Sequence, residues 1–140
     1  MADVPKRQDL GAALYRLAQE VIRRELPLLE ACGVDMWEYA VLSQLDGGPA
    51  PTQAQLAEQV GRDATRLIPI LDRLQSSELV RRAPDPRDRR NRVVTLTDAG
   101  RARLAACRSS IRAMERELLA AVPAERRQIF REVLEQLAAR

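Results

Sequence analysis

The spacing of apolar residues leaves its helical period only between Leu79 and Leu96, and that departure constrains the fold more than any other feature of this 140-residue chain. Leu79-Val80-Arg81-Arg82 is followed by the turn-dense stretch Pro84-Asp85-Pro86-Arg87-Asp88, and then by the β-branched stretch Arg92-Val93-Val94-Thr95-Leu96. Two short strands around a polar, proline-rich turn predict a hairpin. The rest of the chain repeats its apolar residues at helical spacing, so the expected fold class is mainly α with one small β hairpin.

Residues Arg7 to Leu29 read as a first helix, with Leu10, Leu14, Leu17, Val21 and Leu28 on its apolar stripe. Pro27 is expected to bend or end it. A second helix is expected from Met36 to Leu45, stopped by Gly47-Gly48-Pro49. Thr52 and Gln55 form a T-x-x-Q capping box that opens a third helix, which ends at Gly61. Asp63 is a good N-cap for a fourth, whose Leu67, Ile70, Leu71 and Leu74 share one face. After the hairpin, Thr97 caps a long helix reaching about Val122. Its apolar positions Leu104, Cys107, Ile111, Met114 and Leu118 step by three and four. Pro123 then starts a last helix carrying Ile129, Phe130, Val133, Leu134 and Leu137.

Composition narrows the chemistry. The chain has no histidine, which removes the commonest general base and the commonest metal ligand. It also lacks a phosphate-binding glycine loop and a persuasive nucleophile–base pair, so no catalytic residue, metal ligand or cofactor is assigned. Its two cysteines, 75 positions apart, cannot make a disulfide framework or a four-ligand metal site. With no signal peptide and no apolar run near the ~18 residues of a membrane span, a cytoplasmic location is expected. Net charge is only +3, yet six arginines against two aspartates fall between Arg81 and Arg92. The planar guanidinium suits two-point contacts to phosphate and to guanine.

From Gln53 to Asp72 the pattern fits a helix-turn-helix. Leu56, Ala57 and Val60 face inward, Gly61 makes the turn, and Leu67 and Ile70 dock the second helix on the first. In such a unit the second helix enters the major groove, and its first residues meet base edges. Here those residues are Arg62, Asp63, Thr65 and Arg66. Thr52 and Gln53, at the start of the first helix, are candidate phosphate contacts. A basic hairpin directly after the recognition helix is what a winged helix requires, and it makes Arg87, Asp88, Arg89, Arg90 and Arg92 the candidate wing residues.

Asp85-Pro-Arg-Asp-Arg-Arg90, Val94-Thr-Leu-Thr-Asp-Ala-Gly100 and Leu71-Asp-Arg-Leu74 resemble signatures of the MarR family of transcriptional regulators, and the likeness extends over about Leu10 to Leu137. The resemblance implies a single unit over 1–140: a winged helix-turn-helix at 36–100, flanked by dimerisation helices at 7–32 and 101–140. It also implies a homodimer on double-stranded DNA at an inverted-repeat operator, with a small-molecule effector, often acting as a repressor. Asp88 and Arg90 correspond to the wing's Asp-x-Arg element, in which the aspartate helps hold the arginines and the second arginine reaches the minor groove. Three positions depart from the pattern. Arg66-Leu67-Ile68-Pro69 stands where Thr-Val-Thr-Arg is usual, so Thr65-Arg66 is expected to act from one turn earlier, and Pro69 is expected to kink the helix. Glu78 replaces a common glycine, and Arg62 occupies a usually apolar turn position.

The three-four stepping from Leu104 to Leu118 favours a two-fold helix seam over packing inside the protomer. Tyr15, Arg16, Trp37 and Tyr39 are candidate effector contacts, although each also reads as an ordinary core residue with a polar end. Cys32 is the candidate redox residue, with Glu30 and Asp35 nearby in sequence and no clear cation; Cys107 reads as a small buried apolar residue. The alternatives are a cysteine-based redox sensor of the same fold, or a winged-helix adaptor that binds protein rather than specific DNA.

Overall fold

A computed structural model describes residues 6–139; residues 1–5 and 140, counted above in the unit 1–140, lie outside the described residues. The element order is α1 (Leu10–Ala31), α2 (Met36–Gln44), α3 (Gln53–Val60), α4 (Ala64–Ser76), β1 (Val80–Pro84), β2 (Arg92–Leu96), α5 (Asp98–Leu118) and α6 (Ala124–Ala138). This is a mainly helical chain with one two-stranded antiparallel wing, the expected fold class. Among the described residues no helix is long and apolar enough to cross a membrane.

The helix starts are set by side-chain caps. The Thr52 hydroxyl and the Gln55 side chain each accept the other residue's backbone N–H, closing the expected box. Asp63 accepts from the Arg66 N–H at 2.9 Å, and Thr97 from the Gly100 N–H at 3.0 Å. A second capping box, Asp35 with Glu38, opens α2 and was not anticipated.

Pro27 and Pro69 both lie inside helices. Pro27 does not end α1, which continues to Ala31. Leu29, beyond it, is 1% exposed, and burying such a side chain gives about 1.5–3 kcal/mol against the lost hydrogen bond. Pro69 likewise lies within α4, whose buried Ile70, Leu71 and Leu74 follow it.

β1 and β2 pair from Val80 opposite Leu96 to Pro84 opposite Arg92. The Val94 N–H also donates to the Pro51 carbonyl at 3.0 Å, and Thr52 bridges to Val93. The start of α3 is thereby fastened to the wing. No periodicity announces this, because one lone pairing joins residues about forty apart.

The core gathers Leu29 of α1, Leu42 of α2, Leu56 of α3, Leu67, Leu71 and Leu74 of α4, Val94 of β2, and Leu104 and Cys107 of α5. The seam expected on α5 requires correction. Leu104, Cys107, Ile111 and Met114 are buried inside the single protomer, where α5 packs on α1 and α2. A three-four stepping identifies an apolar stripe but not what covers it, and here the chain covers its own. The unpartnered apolar residues lie instead on α1 (Leu10, Leu14, Tyr15, Ile22, Leu26) and on α6 (Ile129, Phe130, Val133, Leu134, Leu137). Helix α6 has no buried residue.

Candidate nucleic-acid interface

The helix-turn-helix is built around Gly61. This residue ends α3 with φ 71°, in the left-handed region that glycine adopts without a Cβ clash. Three residues later α4 begins. On its first turn Thr65 and Arg66 are exposed, and Arg66 is loosely paired with Asp63 at 3.6 Å. The Asp63 carboxylate is engaged by that pair and by the cap. Arg62 does not share their outward position. It is half-buried, with its guanidinium carbon 3.8 Å from the Trp37 ring centroid. At the start of α3, Thr52 and Gln53 are half-buried around free helix N–H groups, a setting that favours an anion.

The wing loop is stiff. Asp85 donates its N–H to Asn91 O at 2.8 Å, Asn91 donates to Asp88 O at 2.9 Å, and the Asp85 carboxylate accepts the Arg87 N–H at 3.0 Å. At the tip, Arg90 grips Asp88 through two side-chain bonds of 3.0 Å each, while its N–H donates to the same carboxylate at 3.1 Å. Those bonds hold the Asp88 carboxyl below its ordinary range and raise the Arg90 guanidinium. The structure thus brings Asp88 and Arg90 together, with the arginine side chain 90% exposed. Arg87, Arg89 and Arg92 are exposed around them. A groove of about 350 Å³, lined by Thr52, Gln55, Asp85 and Arg87 among others, separates the loop from the start of α3.

Arg82 belongs to the same arginine cluster in sequence but serves another end. Its side chain is 15% exposed and donates to Gln75 and to Asp72, both at 2.6 Å. It braces β1 against α4 through the aspartate of the Leu71-Asp-Arg-Leu74 motif. Local charge counting could not separate this inward arginine from its exposed neighbours.

The four candidate effector residues are not gathered into one pocket. Tyr15 and Arg16 are exposed on α1, and the Tyr15 hydroxyl accepts from Gln19 at 3.1 Å. Trp37 lies under Arg62. Tyr39 is half-buried beside Arg108, which pairs with Asp46 at 2.5 Å.

The cysteines hold a different surprise. Both thiols are free, and Cys32 of the α1 end lies close to Cys107 of α5. Burial, and then Cys32, push the Cys107 thiol up to about 12. A cation is present after all: the Arg103 guanidinium packs over Gly33, next to Cys32. Only folding brings α5 to the end of α1, so sequence neighbours gave no sign of it.

A sequence model of the MarR family matches residues 35–91, which hold the capping box of α2, the helix-turn-helix and the wing tip. The transcriptional regulator HosA of Escherichia coli O111:H- is 30% identical over 100 residues, covering 71% of this chain and 74% of that protein. The transcriptional repressor CouR, bound to a 23-mer DNA duplex, superposes with a TM-score of 0.84 at 28% identity, over 93% of this chain and 92% of that one. The PcaV transcriptional regulator of Streptomyces coelicolor, in complex with its natural ligand, gives a TM-score of 0.74 at 26% identity, over 99% and 98%. Fold, capped helix-turn-helix, wing and relatives agree: the chain belongs to the MarR family of transcriptional regulators.

Proposed function

We propose that this chain is a homodimeric, cytoplasmic repressor that binds an inverted-repeat DNA operator and is released by a small effector. The observation that carries the reading is the wing tip, where Asp88 holds Arg90 in a two-point pair while leaving its guanidinium exposed. A cation pre-set on a braced loop suits the narrow, negative minor groove beside a helix lying in the major groove. Thr65 and Arg66 supply base contacts from the first turn of α4. Arg87, Arg89 and Arg92, with Thr52 and Gln53 at the start of α3, supply phosphate contacts. The repressor and duplex parts draw support from CouR, a repressor solved on DNA at 28% identity.

Dimerisation uses the apolar faces of α1 and α6, which the protomer leaves open. Two recognition helices related by a two-fold axis read half-sites about one DNA turn apart, hence the inverted repeat. The effector is a small anionic or aromatic molecule, with the exposed Tyr15 and Arg16 of α1 as its polar contacts. On the same helix, Leu17 and Val21 face Phe130 and Leu134 of α6 across a groove of about 200 Å³. The PcaV complex with its natural ligand supports the effector part of the reading. No catalytic step belongs to the proposal.

Selection from a random duplex library with purified protein tests it. An enriched inverted repeat, with half-sites about one helical turn apart, is the expected result. A library returned without enrichment, from protein shown to be folded, would overturn the reading in favour of the adaptor.

A further inference from the structure

Arg62 and Trp37 are expected in different sites, one at DNA and one at an effector, yet they stand in contact. The guanidinium carbon lies 3.8 Å from the ring centroid, well inside the roughly 6 Å over which the face of an indole attracts a cation. Trp37 is on the first turn of α2, and Arg62 is in the turn joining α3 to α4. The Arg62 Nε is buried without a hydrogen-bond partner, so the ring rather than an acceptor holds this end of the group. An aliphatic side chain would fill the same place without orphaning a donor. Packing alone does not call for a guanidinium here, because Leu67, Ile70, Leu71 and Leu74 already bury the inner face of α4.

What the stack controls is set by its surroundings. Trp37, Gly61, Arg62, Asp63 and Arg66 line one cleft of about 200 Å³ at the start of α4. Within it the two arginines differ: Arg62 is half-buried and pinned to α2, whereas Arg66 has a side chain 71% exposed. Asp63 lies between them, capping the helix and pairing with Arg66. The stack therefore joins the first turn of α2 to the turn from which α4 starts, beside Thr65 and Arg66.

We propose that Arg62 is a positioning residue for DNA recognition. Stacked on Trp37, it fixes the start of α4 and presents Asp63, Thr65 and Arg66 without touching a base itself. The inference rests on the DNA-binding reading above.

The test compares the intact protein with Arg62→Leu, Arg62→Lys, Trp37→Phe, Trp37→Leu and the Arg62→Leu/Trp37→Leu double variant. Each is titrated onto the duplex recovered by selection and onto a shuffled duplex of the same composition, with Tm measured in parallel. In Arg62→Leu the preference for the selected duplex is expected to fall about tenfold, with the preferred bases unchanged and Tm within a few degrees of the parent. Trp37→Leu should fall by a similar factor and the double variant no further, because one contact is lost in all three. Arg62→Lys and Trp37→Phe, which keep a cation over an aromatic face, should recover most of the preference.

Trp37 is the single tryptophan, so its fluorescence reports the stack directly. Acrylamide quenching in the parent protein should not increase when the selected duplex binds. Parent-like preference in Arg62→Leu would reduce the residue to packing and overturn the proposal. A changed base at one operator position, or a Trp37 that becomes more accessible on the duplex, would make Arg62 a direct reader. A parent protein that prefers no duplex would instead sink the DNA-binding reading, and the positioning role with it.

Discussion

The Thr97 hydroxyl donates to the Glu78 carbonyl at 2.6 Å while accepting the Gly100 N–H at 3.0 Å, so one side chain joins the turn after α4 to the start of α5. Glu78 is the only non-glycine residue with positive φ among the described residues, at 59°. The Leu79 N–H reaches back to Leu74 O at 2.9 Å, and the Thr97 N–H donates to Leu79 O at 3.1 Å. The left-handed turn is thus held from both sides.

Glu78→Gly should stabilise the protein by about 1 kcal/mol, since glycine adopts this φ without the Cβ clash. Thr97→Ala should cost about 1–2 kcal/mol, because it removes the α5 cap and strands the Glu78 carbonyl. Urea denaturation of both variants checks the two signs.

Gly100 fits where no Cβ can go. A methyl group there would collide with the Leu79 carbonyl oxygen, part of the backbone that Thr97 pairs with. Gly100→Ala should therefore destabilise by about 1–3 kcal/mol or force the wing away from α5, and Tm with near-ultraviolet circular dichroism will read either effect.

Arg90→Ala should weaken binding to all duplexes and lower the slope of log affinity against log salt by about one phosphate contact per protomer. Asp88→Ala keeps the cation but frees it, so it should reduce affinity with less effect on the slope. The pH sign follows from the shift: Arg90 holds the Asp88 carboxyl below its ordinary range. The pair is intact above that range and is lost as pH falls through the lowered value. DNA binding titrated down from neutral pH should therefore weaken at the acid end in the parent and less in Asp88→Ala.

With its thiol pushed up to about 12, Cys107 stays protonated at neutral pH and is fully buried. A thiol reagent at pH 8 should label Cys32 alone until the protein unfolds, as counted by mass spectrometry. Because the folded value exceeds the unfolded one, the stabilisation is complete below the ordinary thiol range and fades as pH rises towards about 12.

Phe130→Glu with Leu134→Glu should convert the proposed dimer to a monomer without unfolding the protomer, since neither side chain is buried within it. Sedimentation velocity gives the mass, and far-ultraviolet circular dichroism gives the retained helix. A dimer that survives both changes would move the interface elsewhere.

Much of this protein was legible residue by residue because its signals are local. The Thr52–Gln55 box, the Asp63 and Thr97 caps, the left-handed Gly61 and the strand–turn–strand of the wing each depend on neighbours within a few positions, where backbone sterics and hydrogen-bond reach act directly. The Asp88–Arg90 pair, which spans two residues, was implied by the family resemblance of the wing motif. Tertiary structure alone decided the rest. The α5 stripe met α1 and α2 of its own chain, leaving α1 and α6 with the open apolar faces. Arg82 turned inward to Asp72 and Gln75, Cys32 met Cys107 beneath Arg103, and Arg62 found Trp37. An apolar stripe or a charged side chain carries no address in sequence: hydrophobic burial is non-directional, and a guanidinium takes whichever carboxylate, amide or ring the fold brings within reach.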